Sequence, residues 1–149
     1  MNDLYIFENV SMWMMLCAMS IFSAQDIIRK KVNGRLCAFF IFIGLLIDVV
    51  KIMNGKLLLQ TFAMSIIPGI LVYLIAVLTK EKIGKGDAVV IVIIGILTDI
   101  SFVLESLIIA LWIGAIIAIV AIATKRMKGS DTMCFIPFLA LGVLINYGM

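Results

Sequence analysis

Two aspartates lie where the chain could carry out acid–base chemistry. Asp26 closes one apolar stretch in SAQDIIRKKVNG, and Asp87 opens another in GKGDAVV. Ionisable side chains at the edge of a membrane layer usually face the protein interior or water, and they mark functional sites. Two carboxyl groups about 3 Å apart do not readily ionise together, so one keeps a proton while the other acts as a base on water. Such a pair can hydrolyse a peptide bond.

Other catalytic and metal-binding sets of side chains are missing from the sequence. It has no histidine, which excludes a Ser-His-Asp triad, a Cys-His pair and the usual zinc sites. A phosphate-binding loop is not expected before Asp87, because the Gly-Lys-Ser/Thr pattern is absent and the carboxylate would repel phosphate. Cys17, Cys37 and Cys134 lack a CxxC spacing, and we interpret them as small apolar packing residues. We therefore expect neither a metal nor a cofactor.

The composition indicates an integral membrane protein that positions these aspartates on helices. The chain is 64% hydrophobic and 14% charged, with a mean hydropathy of +1.25. Its apolar runs are continuous and do not alternate with period two, which favours helices over a membrane barrel.

We predict an all-α bundle of six transmembrane helices, in one domain covering residues 1–149. The predicted spans are 10–25, 36–53, 57–79, 88–104, 106–124 and 133–147. We expect the first to be retained, because Gln25 and Asp26 follow it where a signal-peptide cleavage site needs small residues.

The basic residues predict the orientation of the bundle. Ten of the twelve Lys and Arg residues lie in the connections after spans one, three and five, and only Lys51 and Lys56 lie elsewhere. The positive-inside rule places those connections in the cytoplasm and both chain ends outside. Asp26 and Asp87 are then at one depth, on the cytoplasmic side of the cell membrane. Nucleic-acid binding is not expected, because the basic residues occupy short turns.

The glycines before Asp87 favour a functional loop over a simple connection. Gly84 and Gly86 flank Lys85, and glycine permits a positive φ and the close approach of another chain. We interpret these three residues as a substrate-access loop. The structural alternative is that Asp87 is the N-cap of its helix and that Asp26 pairs with Arg29 at i+3.

With these motifs in place, the chain resembles the type IV prepilin peptidases, membrane aspartic proteases of the GxGD type. The resemblance rests on Asp26, on the GKGD motif that ends at Asp87, and on MCFIPFLALG at residues 133–142. In that last motif Pro137, Phe138 and Gly142 match the start of the family's final helix. The sequence departs from the family pattern at three places: residues 32–34 replace Ile-Pro-Asn, Val89 replaces a basic residue, and Cys134 replaces a proline.

The resemblance implies an activity and a partner. Asp26 and Asp87 would be catalytic, and the enzyme would cut a prepilin or pilin-like precursor where its basic cytoplasmic leader meets its apolar helix. The family's N-terminal cysteine-containing domain is absent from this sequence, so we expect the short, peptidase-only form without methyltransferase activity. Membrane lipids are the expected contacts of the basic turn after Asp26. The oligomeric state stays open.

Two alternatives and one assignment of roles remain open at this stage. A preflagellin peptidase would use the same chemistry, and a non-enzymatic membrane subunit or transporter would place Asp26 and Asp87 on a proton or cation path. A presenilin-like protease is disfavoured because Pro137-Phe138-Leu139 is not its Pro-Ala-Leu motif. For the pair itself, we expect Asp26, at the negative end of its helix, to hold the proton and Asp87, at a positive helix start, to act as base.

Overall fold

The computed structural model describes residues 2–55, 59–79, 84–125 and 134–149, with side chains from residue 9 onward. Within these ranges every regular element is an α-helix, so the predicted all-α class is confirmed. The six helices are α1 (Asn2–Arg29), α2 (Gly34–Met53), α3 (Leu59–Leu78), α4 (Lys85–Leu97), α5 (Ile100–Ala123) and α6 (Ile136–Gly148).

Four of these helices are long and apolar enough to cross a membrane. They contain the segments Asn9–Arg29, Gly34–Met53, Leu59–Leu78 and Ile100–Ala123. The other two, α4 and α6, have 13 residues each. At 1.5 Å per residue such a helix is about 20 Å long, which is shorter than the roughly 30 Å of a bilayer core. The structure therefore contains six helices, of which four have the dimensions of a membrane span.

The short helix α4 forms the centre of the bundle. It packs against α1, α2, α3 and α5. Because it is surrounded by other helices, it is apolar on all sides and needs no polar face. Its eight buried residues are Ala88, Val90, Ile91, Ile93, Ile94, Gly95, Ile96 and Leu97.

Glycines bring two helix pairs into backbone contact. A Cβ atom at Gly95 would meet the carbonyl oxygen of Ser65 on α3, and a Cβ atom at Gly142 would meet the carbonyl oxygen of Ser106 on α5. Small residues at such crossings let membrane helices approach closely, which increases van der Waals packing where lipid gives no hydrophobic driving force. These contacts fix α4 against α3 and α6 against α5.

The boundary between α4 and α5 differs from the prediction. The sequence analysis ended the fourth span at residue 104, whereas α4 ends at Leu97 and α5 begins at Ile100. Thr98 is extended, and the Asp99 carboxylate accepts a hydrogen bond from the Phe102 backbone N–H at 2.9 Å, as an N-cap does. Asp99 therefore starts a helix within the predicted span 88–104. Glu105, between that span and the next, is an exposed residue within α5.

A second polar cluster joins α1 to α2 far from Asp26. Lys51 Nζ lies 3.7 Å from Asp48 Oδ1 and 3.1 Å from Ser11 Oγ. Asp48 is 3% exposed, and its Oδ2 has no hydrogen-bond partner among the described residues. Ser11 precedes Asp26 by four helical turns of α1, about 22 Å along the axis. The cluster is therefore a separate contact between the two helices.

Candidate active site

Asp26 lies in the last turn of α1, where the chain leaves the helix. Its carbonyl oxygen accepts the Lys30 backbone N–H at 2.9 Å, and Lys30 has a left-handed conformation with φ 49°. A left-handed residue just beyond the last turn is a common way to end a helix. Asn33 then donates its backbone N–H to Gln25 Oε1 at 3.1 Å, which holds the following turn against α1. Asp26 is thereby fixed on a rigid element and is only 7% exposed.

The start of α6 lies directly against the Asp26 side chain. The Cys134 thiol donates a hydrogen bond to the Asp26 carbonyl oxygen, with Sγ 3.4 Å from it. The backbone N–H of Ile136 and the Cys134 thiol are also near enough to the Asp26 carboxyl to favour its ionised form. The first amides of a helix have no partner within the helix, and the N-cap Phe135 has no side-chain cap. The Asp26 carboxyl therefore lies beside a helix start that favours an anion.

One oxygen of Asp26 remains available for chemistry. Its Oδ2 is buried and has no hydrogen-bond partner among the residues that the structure describes. A buried polar atom without a partner carries a free-energy cost that a water molecule or a substrate group would remove. An acceptor held in this way is suited to take a proton from water.

Asp87 is the third residue of α4 and does not cap that helix. The N-cap is Gly84, with φ −65° and ψ 125°, and the Asp87 backbone N–H donates to its carbonyl oxygen at 3.1 Å. The Asp87 side chain turns back over Gly84, because a Cβ atom placed there would lie 3.1 Å from Asp87 Oδ2. The N-cap alternative for Asp87 is therefore wrong, although its carboxyl remains within the first turn.

The glycines act through their small size, not through an unusual backbone. Among the described glycines only Gly55 has a positive φ, so Gly84 and Gly86 do not use the positive φ that glycine permits. Lys85 and Gly86 belong to the first turn of α4, and the predicted loop is shorter than expected. A Cβ atom at Gly86 would lie 3.1 Å from Val32 Cγ2, in the turn after α1. Gly86 thus allows that turn to approach the start of α4.

The two predicted catalytic aspartates lie near enough for the negative charge of Asp26 to act on Asp87. Burial first, and then the negative charge of Asp26, raise the pKa of the Cys134 thiol above its ordinary value, while Lys30 opposes this and Asp87 adds to it. Side chains from α1, α4 and the residues before α6 therefore share one electrostatic environment. Arg29 is exposed, and the described side chains include no ion pair between it and Asp26.

The predicted motif of the last helix lies on the face of α6 that packs against α5. Pro137 occupies the first turn of α6, where a missing N–H costs no helical hydrogen bond. Phe138 lies against Gly114, and Gly142 lies against the α5 backbone. An apolar cavity of about 310 Å³ opens beside this contact. It is lined by Leu111, Gly114, Ala115, Ala118, Phe135 and Phe138.

Two neighbours of Asp26 were not predicted from the sequence. Cys134 was interpreted as a packing residue; it is half-buried and also contacts Asp26. Cys37 is buried in the core as expected, whereas Cys17 is exposed. The backbone N–H of Ile136 could not be recognised from the residue types, because every residue except proline has one. The one available signal was the position of Cys134, three residues before the helix-starting Pro137. Within the described residues no cluster of His, Cys, Asp or Glu is arranged to hold a metal ion.

Comparison with known families gives one match. The family model described as the type IV leader peptidase family matches residues 13–119, a range that includes both Asp26 and Asp87. The comparisons with curated proteins and with solved structures gave no match. The match confirms the family resemblance identified from the sequence motifs.

Proposed function

Because the chain belongs to the type IV leader peptidase family, we propose that it is an aspartic endopeptidase of the cell membrane. It removes the basic leader of type IV prepilin-like precursors at the cytoplasmic face. Family membership itself implies a membrane peptidase; the aspartic mechanism and the precursor are our proposal. Asp26 and Asp87 are its catalytic residues, and Gly84, Lys85 and Gly86 border the path by which the substrate backbone reaches them.

The observation that supports the proposal is the electrostatic interaction between Asp26 and Asp87. They come from different helices, their charges interact, and one of them presents a buried oxygen without a partner. Like charges at short range disfavour double ionisation, so the pair retains one proton while the other carboxylate serves as base. This is the state needed to activate a water molecule and to protonate a carbonyl oxygen in the same step.

The start of α6 supports a division of roles opposite to the one predicted from the sequence. Burial is the largest effect on Asp26 and disfavours its ionised form, whereas the Ile136 N–H, the Cys134 thiol and the N-terminus of α6 favour it. Asp87 is disfavoured as an anion by burial and then by the charge of Asp26. Asp26 is therefore the base, and Asp87 holds the proton. The prediction from the sequence weighed the helix ends at Asp26 and Asp87 and did not include the start of α6. Because the two carboxyl groups are coupled, any measured titration belongs to the pair.

Hydrolysis then proceeds by ordinary aspartic chemistry. Asp26 Oδ2 takes a proton from water as the water oxygen bonds to the peptide carbonyl carbon, and Asp87 donates its proton to the carbonyl oxygen. The tetrahedral intermediate collapses when Asp87 recovers that proton and the peptide nitrogen receives one from Asp26. The C–N bond breaks, and both carboxyl groups return to their starting protonation states.

The position of the two aspartates near the membrane boundary supports the choice of substrate. The described helices include four of membrane-spanning dimensions, and the pair lies at the end of one of them beside the basic residues Lys30 and Lys31. A peptide bond at the boundary between a cytoplasmic leader and an apolar helix would reach this depth. Anionic lipid headgroups would neutralise the basic turn, which otherwise repels a basic leader.

Co-expression with candidate precursors tests the proposal, with mass spectrometry of the new N-terminus as the readout. Asp26→Asn and Asp87→Asn should each abolish cleavage, and the double variant should be no worse, because residues that act as a unit are not additive. Asp99→Asn is the matched control, since asparagine also caps a helix. A precursor cut normally by either single variant would overturn the aspartic mechanism. The precursors that are cut would show whether pilin-like or flagellin-like chains are the substrates.

A further inference from the structure

Small residues of α5 form a seam that α6 covers along only part of its length. They are spaced four residues apart, on nearly one face of the helix: Ser106, Ala110, Gly114 and Ala118. A Cβ atom at Gly142 of α6 would meet the Ser106 carbonyl oxygen and would lie 3.1 Å from the Ala110 backbone nitrogen. One turn earlier on α6, Phe138 Cδ2 lies 3.4 Å from the Cβ position of Gly114. The two helices therefore pack antiparallel, turn against turn.

The last residue of the seam, Ala118, lies beyond the start of α6. Each step of four residues along α5 corresponds to four residues back along α6, from Gly142 to Phe138, and the next step reaches Cys134. Because α6 begins at Ile136, no turn of that helix faces Ala118. The Cys134 thiol donates a hydrogen bond to the Asp26 carbonyl oxygen, with Sγ 3.4 Å from it. The uncovered end of the seam is therefore at the depth of Asp26.

The apolar cavity of about 310 Å³ lies at this uncovered end, and we call it the α5–α6 groove. No lining residue has a charged or hydrogen-bonding side chain; they are Leu111, Gly114, Ala115, Ala118, Phe135 and Phe138. The four that belong to α5 repeat at i, i+3, i+4 and i+7, which is one face of a helix. A volume of this size is that of a small binding pocket. The groove can therefore hold side chains of a second segment, and it offers them only apolar contacts.

We propose that the α5–α6 groove docks the apolar helix of the precursor, at the residues directly after the bond that is cut. This inference rests on the proposed peptidase function. In that function the cut falls at Asp26, and the groove begins at the same depth, so the apolar residues beyond the bond reach it first. Small residues such as Gly114 and Ala118 let a second helix come close to α5, as α6 already does at Gly142.

A lipid chain is another occupant that a membrane offers for an apolar groove. Lipid packs against apolar surface of any shape, whereas small residues at helical spacing are typical of contacts between membrane helices. The covered part of the same seam is such a contact, because Gly142 brings α6 against Ser106 and Ala110. Continuity with that contact favours a helix as the occupant of the uncovered part.

Cross-linking tests the occupant directly, with a precursor that the wild-type chain cuts. The enzyme carries Ala118→Cys in a background without its three native cysteines, and Asp87→Asn to stop cleavage. The precursor carries one cysteine, placed in turn at successive positions beyond the bond, and the two proteins are oxidised in the membrane. Disulfides to Ala118→Cys should recur every three or four residues of the precursor, as expected for a helix in the groove. Ala123→Cys should form none, because this exposed residue lies outside the groove and about 140° around α5.

Filling the groove should impair cleavage of the precursor more than cleavage of a substrate without an apolar helix. The comparison substrate is a soluble peptide with the same leader, in which polar residues replace the apolar segment. The ratio of kcat/KM for the precursor to kcat/KM for the peptide should fall about 10-fold in Ala118→Leu, because added carbon atoms occupy an apolar pocket. It should stay unchanged in Ala123→Leu. Both rates are measured on the same enzyme, so a loss of folded protein cancels from the ratio.

The outcomes separate this inference from the peptidase function. If the precursor cross-links to Ala118→Cys and Ala123→Cys equally or to neither, or if Ala118→Leu leaves the ratio unchanged, the precursor helix does not dock in the groove, while the peptidase function stands. Those results would assign the groove to lipid. Disulfides between two copies of the Ala118→Cys chain would assign it to a second copy and would also overturn the inference. If the wild-type chain cuts no precursor, the peptidase function fails and the docking role fails with it.

Discussion

The thiol of Cys134 donates a hydrogen bond to the carbonyl oxygen of Asp26, with Sγ 3.4 Å from it, which joins the residues before α6 to the last turn of α1. The start of α6, which has no side-chain cap, lies beside the buried Asp26 carboxyl, and Ile136 in its first turn favours the ionised form of that carboxyl. Ile136 lies beyond the residues 13–119 that match the family model. Part of the site's support is therefore supplied by a segment outside the matched range.

Gly86 should be needed for activity because of its contact with Val32. Gly86→Val would place branched carbon atoms where Val32 Cγ2 already lies 3.1 Å from the Cβ position, and the start of α4 would move with Asp87. A shift of about 1 Å at a catalytic group can cost about 100-fold in rate, so we expect cleavage to fall at least about 10-fold with the protein still inserted. Gly34→Val is the matched control, since no atom lies within 4 Å of its Cβ position. Equal activity of both variants would show that Gly86 is only part of a connection.

Gly142 should matter for stability. In Gly142→Ala the new methyl group would meet the Ser106 carbonyl oxygen, so α6 must move away from α5. Overpacking of this kind costs about 1–3 kcal/mol, which thermal unfolding in detergent would detect as a lower Tm. Gly148→Ala, which has no atom within 4 Å of its Cβ position, should leave Tm unchanged. A Tm for Gly142→Ala equal to that of the control would contradict the close crossing of α5 and α6.

The Asp48–Lys51 pair should be structural and not catalytic. Lys51→Met removes the cation that faces Asp48, a residue that is 3% exposed, and leaves a buried charge without a partner. Loss of one member of a buried pair costs about 3–5 kcal/mol. Adding Asp48→Asn to Lys51→Met should recover most of this loss in a chemical unfolding experiment. Cleavage per folded molecule should stay near wild type in the double variant, because the pair contacts α1 at Ser11, about four turns before Asp26. A large fall in that specific rate would contradict the separation of the two clusters.

The membrane orientation can be measured directly by labelling single cysteines. In a background without the native cysteines, Thr124→Cys at the end of α5 should be protected from an impermeant thiol reagent in intact cells. Asn54→Cys at the end of α2 should react. Both positions are exposed, so access to the reagent reports the side of the membrane. The reverse pattern would place Asp26 and Asp87 on the outer face and rule out a cytoplasmic leader as substrate.

Helix number and class could be predicted because they depend on apolar runs that are visible in the sequence. The break at Asp99 could not be predicted in this way. An aspartate is unfavourable in the middle of a helix and favourable at its start, and only the hydrogen bond from the Phe102 N–H shows that Asp99 is at a start. Asp26 and Asp87 were predicted as catalytic residues from residue type, position and the family motifs. The contact between Cys134 and Asp26 could not be predicted, because it depends on where α6 begins relative to α1, which is a tertiary relationship. Backbone donors such as the Ile136 N–H are present at almost every residue, so sequence gives no way to choose among them.

The contact between Asp26 and the start of α6 also has a consequence for biosynthesis. A chain emerging from the ribosome presents Asp26 early and Asp87 next, but residues 134–136 are made much later. Until α6 has been inserted beside α1, Asp26 lacks its contact with Cys134 and with the start of α6. A half-made chain therefore carries both acids without a finished site, and under the proposed function it should cleave no precursor until synthesis has passed α6.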